Sequence, residues 1–273
     1  MGKVLVIDLN ICNGCYNCQV ACKDEHVGND WAPIAKPQPD TGQFWNRVYD
    51  NVRGQVPKVK VTYMHSICQH CDDAPCIEAC NVDAIYKRDD GAVIIDTEKC
   101  RGNQLCLSAC PYEGVIYFND SLNIAQKCTF CAHLLDDGWT EPRCVDACPT
   151  GAFTFGEEED LKDLIAKAEP LKPGQNVKPR VWYIGLPEPF IAGAVFEPEV
   201  DECAEDAKVT AMKVGNGKVF ETATDSYGDF WFRDVEPGEY TILVEKDGYL
   251  PQKLGAVDAR KDVNVGDIAI WKA

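Results

Sequence analysis

Cysteine is the residue whose number and spacing point to chemistry in this chain. The 273 residues include 16 cysteines, at positions 12, 15, 18, 22, 68, 71, 76, 80, 100, 106, 110, 128, 131, 144, 148 and 203. No cationic start followed by an apolar run opens the chain, so we expect no cleaved export signal and reduced, cytoplasmic thiols. Export while bound to a signal-bearing partner is the alternative. Thiolates at short, regular spacings predict metal sites, and a disulfide framework is the weaker interpretation.

The first run of cysteines, Cys12-x2-Cys15-x2-Cys18-x3-Cys22, has the spacing of an iron–sulfur site of the bacterial ferredoxin type. A tight loop wraps three irons of a cubane with three thiolates, and the fourth cysteine points toward a neighbouring cluster. Zinc also takes Cys-x2-Cys pairs, but it needs two pairs and no third cysteine at the same spacing. The run therefore favours an iron–sulfur cluster over zinc.

Three further runs vary this pattern. The second run, from Cys68 to Cys80, has a longer middle loop, and the fourth, from Cys128 to Cys148, ends in the proline typical of ferredoxin runs. The third run, from Cys100 to Cys110, has Asn103 where the first run has its second cysteine. Four complete runs need 16 thiolates, so one corner of one cluster lacks a cysteine.

The pairing of the runs follows from the rule that a fourth cysteine ligates the other cluster of a pair. Runs two and three lie between runs one and four, so we expect a nested duplication, with one two-cluster ferredoxin inserted into its copy. The predicted ligands are Cys12, Cys15, Cys18 and Cys148 for cluster A; Cys22, Cys128, Cys131 and Cys144 for cluster B; Cys68, Cys71, Cys76 and Cys110 for cluster C; and Cys80, Cys100 and Cys106 for cluster D. Asn103 would face the vacant or weakly bound corner of cluster D.

A small α+β scaffold is predicted to position these runs. Residues 3–8 alternate like a strand that leads into the first cysteine loop, and residues 84–96 and 115–126 are typical of hairpins. Short helices are expected after the runs. We assign residues 1–160 to this ferredoxin-like domain, whose core is largely inorganic and whose folding should depend on its clusters.

An insert at residues 30–61 is rich in aromatic residues and proline. It is either a wrapping loop or a docking surface for a larger subunit, since aromatics are enriched in interface cores. His133 is expected to have a hydrogen-bonding or surface role rather than to bind metal. Lys127 and Arg101 flank predicted ligands, where positive charge raises a reduction potential, although a surface role is equally compatible with the sequence.

The chain changes character after the last run. Residues 161–200 are predicted to form a linker or wrapping arm, and residues 201–273 a domain of short strands with turns such as Gly215-Asn216-Gly217. Its Gly-x-Phe-x-Phe element at Gly228 and its Pro-Gly-x-Tyr element at Pro237 resemble the transthyretin-like, carboxypeptidase-regulatory-like β-sandwich. Packing or partner contact is its expected role, and Cys203 is expected to be a buried or free thiol at the boundary.

Composition limits the possible partners. The net charge of −17 disfavours nucleic acid and anionic membranes, and the apolar stretches are too short to cross a bilayer. We find no nucleophile, general-base pair or nucleotide loop. The chain is therefore expected to be a non-catalytic subunit of an enzyme.

The four nested runs resemble those of the iron–sulfur subunits of molybdopterin oxidoreductases of the dimethyl sulfoxide reductase family. A narrower resemblance rests on the segment from Cys22 to His26, on Trp31 and Trp45, on the segment from Gln126 to Asp137 and on the sandwich tail. Together these features are similar to the small subunits of pyrogallol–phloroglucinol-type hydroxytransferases and of related anaerobic phenol hydroxylases and dehydroxylases.

This resemblance implies a larger partner subunit that holds a molybdenum bis-pterin guanine dinucleotide cofactor and the substrate site. It also implies three [4Fe-4S] clusters, with either a [3Fe-4S] cluster or an atypical [4Fe-4S] cluster with an asparagine or water ligand at D. The expected function is transfer of single electrons between the molybdenum site and an external donor or acceptor. The alternatives are a respiratory reductase or dehydrogenase subunit with a quinol partner, and a docking module in which the clusters are purely structural.

Overall fold

A computed structural model of the chain describes residues 2–171, 176–215 and 217–273, which fall into two compact units. The first comprises Met1–Asn51 and Thr62–Leu186, and the second Val52–Val61 and Pro187–Ala273. The boundary at Leu186 divides the segment expected to be a 161–200 arm. Residues 172–175 of that arm and Asn216 of the expected turn lie outside the described residues.

The helices of the first unit are short and most of them carry a predicted ligand. They are α1 (Asn17–Val27), α2 (Pro75–Glu78), α3 (Leu105–Ala109), α4 (Ala132–Asp136), α5 (Arg143–Asp146) and α6 (Lys162–Ile165). Cys18 and Cys22 lie on α1, Cys76 on α2, Cys106 on α3 and Cys144 on α5. Helices of four or five residues are not stable alone, so the surrounding site must hold them.

The strands of the first unit form a three-stranded sheet and hairpins. They are β1 (Lys3–Asp8), β2 (Asn46–Gln55), β3 (Lys58–Ile67), β4 (Ile85–Lys87), β5 (Val93–Ile95), β6 (Tyr117–Asn119), β7 (Ile124–Gln126), β8 (Phe153–Glu157) and β9 (Val181–Ile184). Strand β1 pairs antiparallel with β8 and parallel with β9. The predicted first strand and the hairpins β4–β5 and β6–β7 are confirmed.

The hairpin β2–β3 lies largely in the 30–61 insert, for which the sequence predicted a loop. The ends of β2 and β3 nearest the turn, within Val52–Val61, belong to the second unit. Four valines of this part, Val52, Val56, Val59 and Val61, are exposed. The insert is therefore built of strands over its second half.

The remaining strands form two sheets of the second unit. They are β10 (Ile191–Glu197), β11 (Glu202–Cys203), β12 (Lys208–Lys213), β13 (Val219–Ala223), β14 (Asp229–Phe232), β15 (Glu239–Glu245), β16 (Gln252–Asp258) and β17 (Val263–Ala269). One sheet has the order β11-β10-β14 with β17 paired to β10, and the other has the order β13-β12-β15-β16. Side chains from both sheets share one core, as a β-sandwich requires.

Two apolar cores occupy the first unit. One contains Cys18, Cys22, Cys128 and Cys144, and the other contains Cys71, Cys76 and Cys106. Cys68, a predicted ligand of cluster C, lies in the first core as well. The other predicted ligands of cluster C and those of cluster D lie in or against the second core.

Candidate metal centres

The first group of thiols contains the residues predicted for cluster A. Burial and the nearby Cys12, Cys148 and Cys15 together raise the pKa of Cys18 to about 12. Cys148 is the exception in this group: burial raises its pKa, but hydrogen bonds from Thr150, Ala152 and Phe153 outweigh that effect. The four thiols are therefore electrostatic neighbours although Cys148 lies far along the chain.

The second group contains the residues predicted for cluster B. Burial raises the pKa of Cys144, with contributions from Cys131, Cys22 and Cys128. All four of these side chains are buried. A buried thiol holds its proton strongly, so these sulfurs become anionic only when a cation compensates them.

The third and fourth groups contain the residues predicted for clusters C and D. Burial raises the pKa of Cys71 to about 12, and Cys68, Cys76 and Cys110 add to the shift. Around D, burial raises the pKa of Cys106 to about 11, with contributions from Cys100 and Cys80 among others.

Each of these two groups lines a cavity. Cys68, Cys71, Cys76 and Cys110 line the cavity at C. Cys80, Cys100 and Cys106 line the cavity at D together with Asn103.

Thiols of different groups lie close enough to affect one another. Cys18 of the first group contributes to the raised pKa of Cys144 in the second group. Cys68 of the third group is the largest charge contribution to the raised pKa of Cys128 in the second group. Cys76 of the third group likewise contributes to the raised pKa of Cys106 in the fourth.

All four runs share one backbone feature. The second residue after the first cysteine of each run has a positive φ: Gly14 at 68°, His70 at 46°, Gly102 at 73° and Phe130 at 53°. A left-handed residue in such a loop turns successive backbone N–H groups inward and forms an anion-binding concavity. The four runs therefore share one loop conformation at this place. Sequence analysis did not find it at His70 and Phe130, because those runs have no glycine there to indicate it.

The third run keeps the loop of the first despite its missing cysteine. After Gly102, Gln104 is left-handed, as Tyr16 is at the corresponding place after Gly14. Asn103 consequently stands where the first run has Cys15, and it lines the same cavity as Cys80, Cys100 and Cys106. Its side-chain Nδ2 donates to Oδ1 of Asn81 at 2.5 Å.

Backbone N–H groups also reach the sulfurs in matching ways. Ala84 N donates to Cys80 Sγ at 3.4 Å, and Ala152 N donates to Cys148 Sγ at 3.3 Å. In both cases the donor lies four residues after the last cysteine of a run. Hydrogen bonds of this kind stabilise a thiolate, so the donor set fits an iron–sulfur cluster, which takes thiolate ligands.

Histidines near the thiols were not assigned from the sequence. His65 is buried, with Nε2 at 3.5 Å from Cys12 Sγ, and His26 is buried, with Nε2 at 4.0 Å from Cys131 Sγ. His133 binds Glu25 at 3.0 Å and stacks on Trp31, in agreement with its predicted hydrogen-bonding role. Contact between a histidine and a sulfur depends on pairing across distant segments, which spacing does not encode.

The flanking cations and the outlying thiol lie in different environments. Lys127 is buried, whereas Arg101 is exposed and donates to the carbonyls of Glu98 and Cys100. Cys203 is free and exposed on β11. Within the described residues, no three His, Cys, Asp or Glu side chains converge closely enough to hold a single metal ion.

Comparison with known proteins gives matches for both units. The 4Fe-4S dicluster domain family matches residues 59–158, and the carboxypeptidase regulatory-like domain family matches residues 191–270. The pyrogallol hydroxytransferase small subunit of Pelobacter acidigallici is 36% identical over 278 residues, covering 97% of this chain and 98% of that protein.

Two other relatives match over about two thirds of the chain. The arsenate respiratory reductase iron–sulfur subunit of a Shewanella species is 34% identical, covering 66% of this chain and 94% of that protein. A tetrathionate reductase subunit of Salmonella typhimurium is 34% identical, covering 68% of this chain and 74% of that protein. Among the described helices, none is both long and apolar enough to span a bilayer.

Proposed function

The chain belongs to the iron–sulfur electron-transfer subunits of molybdopterin oxidoreductases, and we propose that it serves a heterodimeric enzyme acting on a phenolic substrate. The observation that carries the proposal is the arrangement of the predicted ligands in neighbouring thiol groups, two of which line cavities. The relative that matches along nearly the whole chain is the small subunit of a hydroxytransferase named for pyrogallol.

We assign the predicted ligands to four clusters of a nested, duplicated ferredoxin-like domain. The two apolar cores, the shared left-handed loop residue and the matching N–H donors to Cys80 and Cys148 support that arrangement. Clusters A, B and C take four thiolates each and are [4Fe-4S]. For cluster D the resemblance favours [3Fe-4S], and the position of Asn103 in the same cavity supports an atypical [4Fe-4S] as the second candidate.

When bound, such clusters supply one-electron redox chemistry. This chain's residues hold them, supply hydrogen bonds to their sulfurs and exclude water from the buried groups B and C. The substrate site and the molybdenum bis-pterin guanine dinucleotide cofactor belong to a large partner subunit in this proposal. Because transfer of a hydroxyl group has no net redox change, the chain would prime or restore the active oxidation state there.

Iron content tests the cluster assignment. The chain isolated without oxygen should contain about 15 or 16 irons, from three clusters of four and one of three or four. Reversible reduction of several clusters would distinguish electron transfer from a structural role. A preparation with about four irons, or one in which zinc dominates, would contradict the assignment.

Co-purification tests the partnership and the substrate class. We expect the chain, produced in the cytoplasm, to purify with a much larger molybdenum-containing subunit, and the complex to transfer hydroxyl groups on phenols. The isolated chain should show no turnover. A partner set containing a hydrophobic anchor subunit, with quinol oxidation, would favour the respiratory alternative instead.

A further inference from the structure

Lys127 is the last residue before the fourth cysteine run, and its side chain is buried between two thiol groups. The residue is 2% exposed. Its Nζ donates to the backbone carbonyl of Val93 and, at 3.0 Å, to that of Cys128. Both acceptors are neutral carbonyls, so they solvate the ammonium without cancelling its charge.

The two acceptors of Lys127 belong to the surroundings of both inner clusters. Cys128 is a predicted ligand of cluster B. Val93 lines the cavity of group C together with Cys68, Cys71, Cys76 and Cys110. The Lys127 ammonium therefore lies beside both groups.

The neighbouring Lys87 has a different environment. Its Nζ donates to the carbonyls of His70, Cys71 and Gly91, but it also pairs with the Asp72 carboxylate at 2.9 Å. Since a carboxylate lies next to it, most of its field at the thiols is compensated. Lys87 also keeps a quarter of its side chain exposed, and water screens exposed charge.

We propose that the buried ammonium of Lys127 raises the midpoint potentials of both cluster B and cluster C. Reduction adds a negative charge to a cluster, and a fixed positive charge in a region of low dielectric favours that form. An electron would then reside on cluster B or C rather than on cluster A or D. This inference depends on the proposed cluster assignment and adds a residue to it.

The test is a potentiometric titration of the intact complex, followed by electron paramagnetic resonance, with Lys127→Met. The midpoint potentials of B and C should both fall by at least 59 mV, which corresponds to a tenfold change in the equilibrium constant of a one-electron reduction. The midpoint potentials of A and D should not change. Variants Cys144→Ser and Cys76→Ser identify which signals belong to B and C.

Controls separate charge from packing. Lys127→Arg should retain the wild-type midpoints, and Lys127→Gln, which keeps a donor but no charge, should behave like the methionine variant. Lys87→Met, which removes a compensated charge, should leave B unchanged and shift C less than Lys127→Met does.

The outcomes are distinct. Full iron content with unchanged B and C midpoints would overturn the role of Lys127 and leave the proposed function intact. Loss of the inner clusters in both neutral variants, with retention in Lys127→Arg, would show a folding role and also overturn it. Absence of four clusters in the wild type would instead contradict the proposed function itself.

Discussion

The imidazole of His65 lies against the sulfur of Cys12, with 3.5 Å between Nε2 and Sγ. On its other side, Nδ1 lies 3.3 Å from Oδ1 of Asn46, whose Nδ2 is buried without a hydrogen-bond partner among the described residues. The oxygen and nitrogen of an amide are assigned from their partners rather than distinguished directly. When the Asn46 amide is rotated by 180°, its Nδ2 donates a hydrogen bond to Nδ1 of His65. The single proton of the neutral ring is then on Nε2, which donates to Cys12 Sγ.

We therefore expect His65 to raise the potential of cluster A. Burial lowers the pKa of His65 to about 4, so at neutral pH the ring is uncharged and has one proton to donate. Replacing it in His65→Phe removes an N–H···S bond of about 0.5–1.5 kcal/mol, and the midpoint of A should fall by roughly 20–60 mV. A redox titration of the complex measures this shift.

His133→Phe is the matched control for that experiment. The His133 ring is hydrogen-bonded to Glu25, stacked on Trp31 and packed edge-on against His26, so it lies beside group B rather than beside Cys12. The His133→Phe substitution should leave the midpoint potential of cluster A unchanged. An equal fall of the A midpoint in both variants would contradict a specific hydrogen bond from His65.

Gly102 should be required for cluster D. Its φ of 73° is in the left-handed region, and a Cβ there would lie 2.4 Å from Oδ1 of Asn123. Gly102→Ala therefore combines about 1–2 kcal/mol of backbone strain with a steric clash. We expect the variant to keep A, B and C but to lose D, with iron falling to about 12 per chain.

Gly114 provides the comparison, because its φ is 71° but a Cβ at that position would meet nothing within 4 Å among the described residues. Gly114→Ala carries the strain without the clash, so its iron content should equal that of the wild type. If the two variants lose equal amounts of iron, the close approach to Asn123 is not what holds the loop.

The spacing of residues along the sequence is sufficient to predict the local elements of the fold. The strand at Lys3–Asp8 and the hairpin β4–β5 follow from alternation and a turn between short strands. The hairpin β2–β3 was not predicted, although residues 58–62 alternate between polar side chains and valine, because the aromatic residues and prolines of the 30–61 insert favoured a wrapping loop or a docking surface. The parallel pairing of β1 with β9 joins Leu5 to Val181 and depends on the whole fold.

The same division applies to the candidate site. The cross-ligation rule converts the spacing of the cysteines into a predicted grouping of the thiols, which stays a prediction. Burial could not be predicted. Lys127 directly precedes Cys128 and Arg101 directly follows Cys100, yet of these two flanking cations only Lys127 is buried. A charge beside a ligand affects a potential strongly only where water is excluded, and the sequence does not state which side of a loop is covered.

The sandwich unit should contribute stability without affecting the clusters. Ile242 is fully buried on β15, opposite Ala211 of β12. Ile242→Ala removes a buried side chain and leaves a cavity, at a cost of about 2–5 kcal/mol in unfolding free energy. Hydrogen exchange of β12 and β15 should accelerate while iron content and midpoint potentials stay unchanged.

Thr241→Ala, on the opposite face of the same strand, should change the unfolding free energy by less than about 0.5 kcal/mol. Iron loss in Ile242→Ala would show that the sandwich takes part in holding the clusters, against this prediction.

Asn103 gives the most local test of the cluster assignment. Amide oxygen is a poorer ligand than thiolate for iron in a sulfur cluster, so the corner that faces Asn103 should bind its iron weakly or lack it. Asn103→Cys restores the full run within a loop that already has the conformation of the first run. We expect one additional iron if the wild type is [3Fe-4S], disappearance of the oxidised three-iron signal, and a lower midpoint because a thiolate adds negative charge.

The Asn81–Asn103 hydrogen bond separates the two candidates for cluster D. Asn81→Ala frees the Asn103 amide, which Asn81 now holds at 2.5 Å, but leaves all three thiols in place. If the Asn103 oxygen binds a fourth iron, this variant should weaken that iron and shift the D midpoint. If D is [3Fe-4S], iron content and midpoint should not respond. Should the wild type show no three-iron signal, and should neither variant change iron content or any midpoint, then Cys80, Cys100 and Cys106 do not hold a cluster beside Asn103, and the electron path ends at cluster C.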